Sequence, residues 1–204
     1  MIGPVHQRLV YGRRIEVLAR HLAEFLPAGA SVLDVGSGDG RLARRVGALR
    51  PDLRIRGVDI LVRPEALIPI DRFDGVRLPF RDGEHDAVMM VDVLHHAADQ
   101  SALLREVARV ARHSVVIKDH VVQGWVARPT LRFMDWVGNA RHGVALPYAY
   151  WSEEEWQRHL ANAGLRTTRR RDRLHLYPWP ASLLFDRGLH FIAALEHAHA
   201  RSTP

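Results

Sequence analysis

The stretch 31–40, SVLDVGSGDG, sets Gly36, Gly38 and Gly40 between an apolar run (Val32, Leu33, Val35) and a helical pattern (Leu42, Ala43, Val46, Leu49). Glycines let the backbone bend sharply and come close to a ligand. A helix that starts at such a bend aims unpaired N–H groups at it. Asp34 and Asp39 lie in the same stretch; carboxylates there repel a pyrophosphate and suit a cationic ligand with an amino group. A dinucleotide fingerprint needs glycine where Arg41 stands, and a phosphate loop needs Gly-Lys-Ser or Gly-Lys-Thr, which is absent.

A second group of chemistry-bearing residues follows two other apolar runs. Asp92, His95 and His96 come after 85–91, and Lys118, Asp119 and His120 close the run begun at Ser114. Strand carboxyl ends in an open α/β sheet face the ligand crevice. Histidine there is the commonest general base, so His120 and then His95 are the candidate catalytic residues. A metal-assisted variant would use Asp92, Asp119 and Asn139; the expectation is that no metal is needed.

The elements that must position these groups are legible from periodicity. Residues 5–26 carry apolar side chains at helical spacing and stop at Pro27. A helix over 40–50 stops at Pro51, and the strand 54–59 ends in Asp59. Residues 61–73 hold two prolines and alternate irregularly, which predicts a loop. A helix over 99–111, capped by Asp99 or Ser101, precedes the strand 114–117. Ser152 and Glu155 form a capping box ahead of Trp156 and Leu160. A strand at 165–171 follows, with an extension expected through 174–176, and 189–195 reads as a last strand.

VLDVGSGDG resembles motif I of the class I S-adenosylmethionine (SAM) dependent methyltransferases. Asp59, closing IRGVDI, stands where that family places an acid on the ribose hydroxyls, with Ile60 as an apolar wall for the adenine. The stretch 73–99, FDGVRLPFRDGEHDAVMMVDVLHHAAD, is similar to the family's segment from the third strand through the fourth, in the ubiquinone-biosynthesis-like, small-molecule branch. The resemblance implies SAM as cofactor, held by Asp34, Gly36, Gly38, Asp59, Asp74 and the Gly75 N–H. Val91 and Asp92 would lie along its methionine part, with Asp39 a further candidate. An aspartate that merely closes a turn would look the same at Asp74. The implied fold is α/β, a Rossmann-like doubly wound sheet of seven strands with the last antiparallel and helices on both faces. One domain would span 1–204, with a lid helix at 1–28 that brings His6 and Tyr11 near the site. A substrate cap at 121–150 would use Trp136 and Tyr148 to shape the pocket.

Composition narrows the alternatives. Hydrophobic residues at 47% and charged at 25% are ordinary globular values. Cysteine is absent, which excludes disulfides, thiolate zinc sites and a cysteine nucleophile. No run of 18 apolar residues and no leader pattern is present, so the expectation is a cytoplasmic protein without membrane insertion. A net charge of +6 and a pI near 10.6 invite a nucleic-acid partner. The excess is nearly all arginine, Lys118 being the only lysine, and the one dense cluster, Arg169 to Arg173, reads as a guarded sheet edge. A nucleic-acid methyltransferase would also carry Asn-Pro-Pro-Tyr or Asp-Pro-Pro-Tyr where this chain has VDVL (91–94), so nucleic acid is disfavoured. The expected partner is a small-molecule substrate; a protein methyltransferase or a non-catalytic SAM-binding partner protein remains the alternative, and the oligomeric state is left open.

Overall fold

The computed structural model describes residues 4–139 and 148–198, with side chains described over 12–134 and 148–198. In chain order the elements are α1 (Pro4–Phe25), β1 (Ser31–Val35), α2 (Arg41–Leu49), β2 (Arg54–Asp59), β3 (Ile70–Arg72), β4 (His85–Val91), α3 (Gln100–Val110) and β5 (Ala111–His120). They continue with α4 (Ala127–Asn139), α5 (Glu153–Asn162), β6 (Leu165–Arg171), α6 (Ser182–Phe185) and β7 (His190–His197).

The seven strands form one sheet in the order β3-β2-β1-β4-β5-β7-β6. Strands β3, β2, β1, β4 and β5 run parallel. Strand β7 is antiparallel to both neighbours, β5 and β6. The chain leaves β1 toward β2 on one side and returns to β4 on the other. The connections after β1 and β4 therefore diverge, and a crevice opens at their carboxyl ends.

Alternation along the central strands builds two apolar layers. Leu33, Val35, Val88, Met90, Val115 and Ile117 pack with α3 and α5 on one face. Val32, Ala87, Met89, Val116 and Ile192 pack with α1 and α2 on the other. Strands covered on both faces read as continuous apolar runs, which is why β1, β4 and β5 stand out in the sequence.

Three sequence expectations are corrected. The third strand lies at 70–72, inside the segment expected to be a loop, and not from Phe73 onward. It is an edge strand of three residues paired only with β2, too short to show alternation. Strand β5 begins at Ala111, directly after the last residue of α3, rather than at Ser114. Strand β6 ends at Arg171 and does not resume at 174–176; Leu174 and Leu176 instead pack into the layer under α1. The caps behave as the sequence indicates: Asp99 accepts from the Ala102 N–H, and Ser152 and Glu155 exchange both bonds of a capping box.

Candidate active site

The glycine bend is built as the sequence requires. Gly36, Gly38 and Gly40 all adopt left-handed backbone angles, with φ of 74°, 61° and 76°. A Cβ on Gly36 would lie 2.5 Å from Val93 Cγ2, so this glycine also allows the bend to close on the residue after Asp92. A Cβ on Gly38 would meet no atom within 4 Å among the described residues, which leaves open space beside the bend. The Asp59 carboxylate reaches back from the end of β2, accepting from the Gly38 N–H at 2.8 Å and the Leu61 N–H at 2.9 Å. Asp34 is buried beneath the bend; burial, with the Asp59 charge adding to it against a Ser37 hydrogen bond, pushes its carboxyl up to about 7.

The other acids of this half are more local. Asp39 is half-buried, accepts from the Arg41 N–H at 3.1 Å and pairs with the Arg41 guanidinium at 3.2 Å. Asp74 is exposed, and one oxygen accepts from the N–H groups of both Val76 and Arg77, the bonding of a turn aspartate. Gly75 lies near Ile60, whose Cγ2 would be 3.4 Å from a Cβ there. Ile60 itself is largely exposed, so these two form an open apolar ledge at the end of β2.

A different kind of site occupies the ends of β4, β5 and β7. Asp92 accepts from the Arg14 guanidinium of α1 and from the Lys118 ammonium, and Lys118 is completely buried. Asp92 takes a left-handed backbone conformation (φ 57°), and its N–H donates to the Lys118 carbonyl at 2.8 Å. Asp119 Oδ1 accepts from His95 Nδ1 at 2.7 Å, from His120 Nδ1 at 3.2 Å and from the His120 N–H at 2.8 Å. His190 stands opposite His120 in the β5–β7 ladder, with its Nδ1 3.2 Å from Lys118 Nζ. Tyr150 closes the group, its ring centroid 5.6 Å from that of His95.

Burial and charge set the protonation of this cluster. For Asp92, burial would raise the carboxyl, but Lys118 and then Arg14 outweigh it and hold it well below the usual range. For Asp119, burial is likewise outweighed, here by His95 and His120, and the carboxyl stays ionised. Burial and then the Lys118 charge lower His120 against the Asp119 bond, so its imidazole is neutral at physiological pH. A carboxylate can only accept, so the histidine nitrogens facing Asp119 carry the hydrogens, and in the neutral His120 ring Nε2 carries the lone pair.

The spacing of His95, Asp119 and His120 would reach a metal ion. The fixed cations Arg14 and Lys118 both pair with Asp92, so a divalent ion on this triad would add to the positive charge beside them. Asn139, the third member of the metal-assisted variant, lies outside the described side chains, as do Trp136, His6 and Tyr11. Tyr148 is half-buried, lies under the Arg132 guanidinium at 4.8 Å, and packs with Ala127, Leu131, Tyr150 and Leu189. An open cavity of about 450 Å³ is lined by Glu153, Arg170, Asp172 and their neighbours at the β6 side. It contains none of the motif residues, and its polar lining groups pair with one another.

Sequence reasoning missed Arg14 and His190. Nothing in the pattern of α1 distinguishes Arg14 from its other arginines. His190 was findable: a histidine opening an apolar antiparallel strand falls next to the end of β5 once the register is known.

The comparisons with known proteins agree with this geometry. The model of a methyltransferase domain family matches residues 8–169. Over 116 residues the chain is 33% identical to the methyltransferase GfsG of Streptomyces halstedii, covering 48% of this chain and 40% of that protein. Over 110 residues it is 30% identical to the 27-O-demethylrifamycin SV methyltransferase of Amycolatopsis mediterranei, covering 47% and 40%. The chain thus spans about two fifths of the length of these relatives. In fold it is similar to a SAM-dependent methyltransferase of Mesorhizobium loti, with a TM-score of 0.63, 16% identity, and 87% and 96% of the two chains covered. The residues present fit that cofactor: an open glycine bend, a buried carboxylate beneath it and a second acid at the end of β2 suit a cationic nucleoside. With the family match covering most of its length, the chain belongs to the methyltransferase domain family, and its fold is that of class I SAM-dependent methyltransferases.

Proposed function

We propose that this methyltransferase acts on a small-molecule acceptor and that His120, supported by His95, removes a proton from an acceptor hydroxyl as the methyl group arrives. The observation that carries the reading is the Asp119 carboxylate shared by two buried imidazoles at the end of β5. That arrangement orients both rings through Nδ1, and the neutral His120 then offers Nε2 as the proton acceptor. SAM supplies an electrophilic methyl on a sulfonium, so the protein has to align the acceptor, exclude water and take the proton.

On this reading Asp59, held by the Gly38 N–H, binds the ribose, Ile60 and Gly75 flank the adenine, and Asp34, Gly36 and Val91 border the methionine part. Asp92 serves less as a cofactor ligand than as the counter-ion that holds Lys118 and Arg14 at the crevice. Transfer to oxygen is also supported by the relative named for O-methylation of a rifamycin. A bare amine or an activated carbon would give a buried imidazole pair less to do.

The test is calorimetric titration with SAM and S-adenosylhomocysteine, then a screen of hydroxylated metabolites with methyl-labelled SAM. With the acceptor found, His120→Ala is expected to slow single-turnover transfer by about 10²- to 10³-fold while SAM affinity holds. Full rates in both His120→Ala and His95→Ala would remove the base from the mechanism. Tight binding of RNA that weakens steeply with salt would favour the nucleic-acid alternative instead.

A further inference from the structure

Exposed apolar side chains are concentrated in two places among the described residues. One set, Ile60, Leu61, Val62, Leu67 and Val76, rims the nucleoside end of the crevice. The other comprises Trp125, Val126 and Phe133 on and before α4, with Trp179, Leu183 and Leu184 around α6. Trp125 is 96% exposed and Trp179 79%, values that a tryptophan spending its life in water has no reason to hold.

The two segments form one face. The rings of Phe133 and Phe185 stack with centroids 6.5 Å apart. The Val121 N–H donates to the Leu189 carbonyl at 3.1 Å, and Gly188 lies against Gln123. Ala127, Leu131, Tyr150 and Leu189 make a separate small core beneath, so the face has a rigid support of its own.

Its described charge is mainly basic, although Arg128 also acts on the Glu155 carboxylate and Asp135 follows in α4. Arg128, Arg132 and Arg187 are exposed among these apolar groups. Within 121–134 and 177–189 the one acid is Asp186, and its carboxylate accepts from the Leu176 and Tyr177 N–H groups at 3.2 Å. Tryptophan and leucine interspersed with three exposed arginines match the boundary between acyl chains and anionic headgroups. Each arginine adds attraction to such a surface. A second copy of the chain fits poorly, because like faces would oppose arginine to arginine.

We propose that this face, formed by α4 and α6, docks the protein peripherally on an anionic phospholipid surface. No helix of the described residues is long and apolar enough to cross a membrane, so the contact is a surface one.

The full chain is to be sedimented with vesicles of phosphatidylglycerol and phosphatidylcholine, and with phosphatidylcholine alone. Binding to the mixed vesicles is expected, at least about tenfold weaker to the neutral ones, with loss of roughly fivefold for each of Arg128→Gln and Arg187→Gln. Trp125→Ser/Trp179→Ser keeps the net charge and is expected to abolish vesicle binding while SAM affinity stays unchanged. Vesicle binding that survives this double variant reflects net charge alone and overturns the proposal, as does equal binding to neutral vesicles or none to either. Concentration-dependent self-association that the double variant abolishes assigns the face to a second copy and overturns it as well. None of these readouts depends on the acceptor or on the histidine base.

Discussion

The glycine bend and the β4–β5–β7 strand ends sit side by side on one sheet, yet they are built on opposite principles. The bend uses backbone groups and acids within a short span of chain: Asp59 meets Gly38 across 21 residues. Most of its groups stay open to water, so a ligand can reach them without dismantling anything. The strand-end cluster uses ionisable side chains drawn from far apart, Arg14 and Asp92 across 78 residues and Lys118 and His190 across 72. It is largely buried, and its charges pair with one another. A cofactor that leaves after each turnover needs the first design. The proton acceptor we propose, an imidazole kept neutral and oriented, needs the second.

The largest expected effect breaks the cluster. Lys118→Met leaves Asp92 buried with one cation fewer and should cost about 3–5 kcal/mol of stability in urea unfolding. Adding Asp92→Asn, which tolerates the left-handed backbone there, should recover more than half of the loss. If the single variant loses less than about 1 kcal/mol, the cluster is wetter than its burial indicates and the contrast with the bend fails.

Next comes the one feature the two regions share, a buried acid. Between pH about 4 and about 7 the folded chain holds a proton on Asp34 that the unfolded chain has released. The native state binds more protons, so stability falls as pH rises through that window, by up to about 4 kcal/mol from this residue. Asp34→Asn should flatten that slope, gaining on the parent protein at pH 8 but not at pH 4, while SAM affinity drops. Melting temperatures of both proteins across the window check the sign.

Within the bend, Asp59→Ala removes the acceptor of the Gly38 and Leu61 N–H groups. SAM affinity should fall by about 10- to 100-fold with little change in melting temperature, since losing hydrogen bonds to a charged group costs about 1.5–3 kcal/mol. A large stability loss instead would make Asp59 a structural strut. The smallest effect belongs to Arg41→Ala, which breaks an exposed pair with Asp39 and should cost under about 1 kcal/mol by denaturant titration.

The sheet was largely legible because buried parallel strands show as apolar runs and caps have local chemistry. Edge strand β3 was not, because three residues carry no period. At the site, Asp119, His95 and His120 could be singled out as strand-end groups, but their sharing of one carboxylate could not, since it depends on the turn after β4 folding over the end of β5.

By itself the sequence determined the bend, its acids and the cofactor they suit, because those contacts are set by neighbours along the chain and by glycine's access to positive φ. Only the tertiary structure decided which titratable groups meet in the strand-end cluster, that Arg14 and His190 belong to it, and that two distant aromatic segments form one surface. Charge and proton state in a buried site depend on the three-dimensional neighbours that replace water, and strand register and helix packing choose those neighbours.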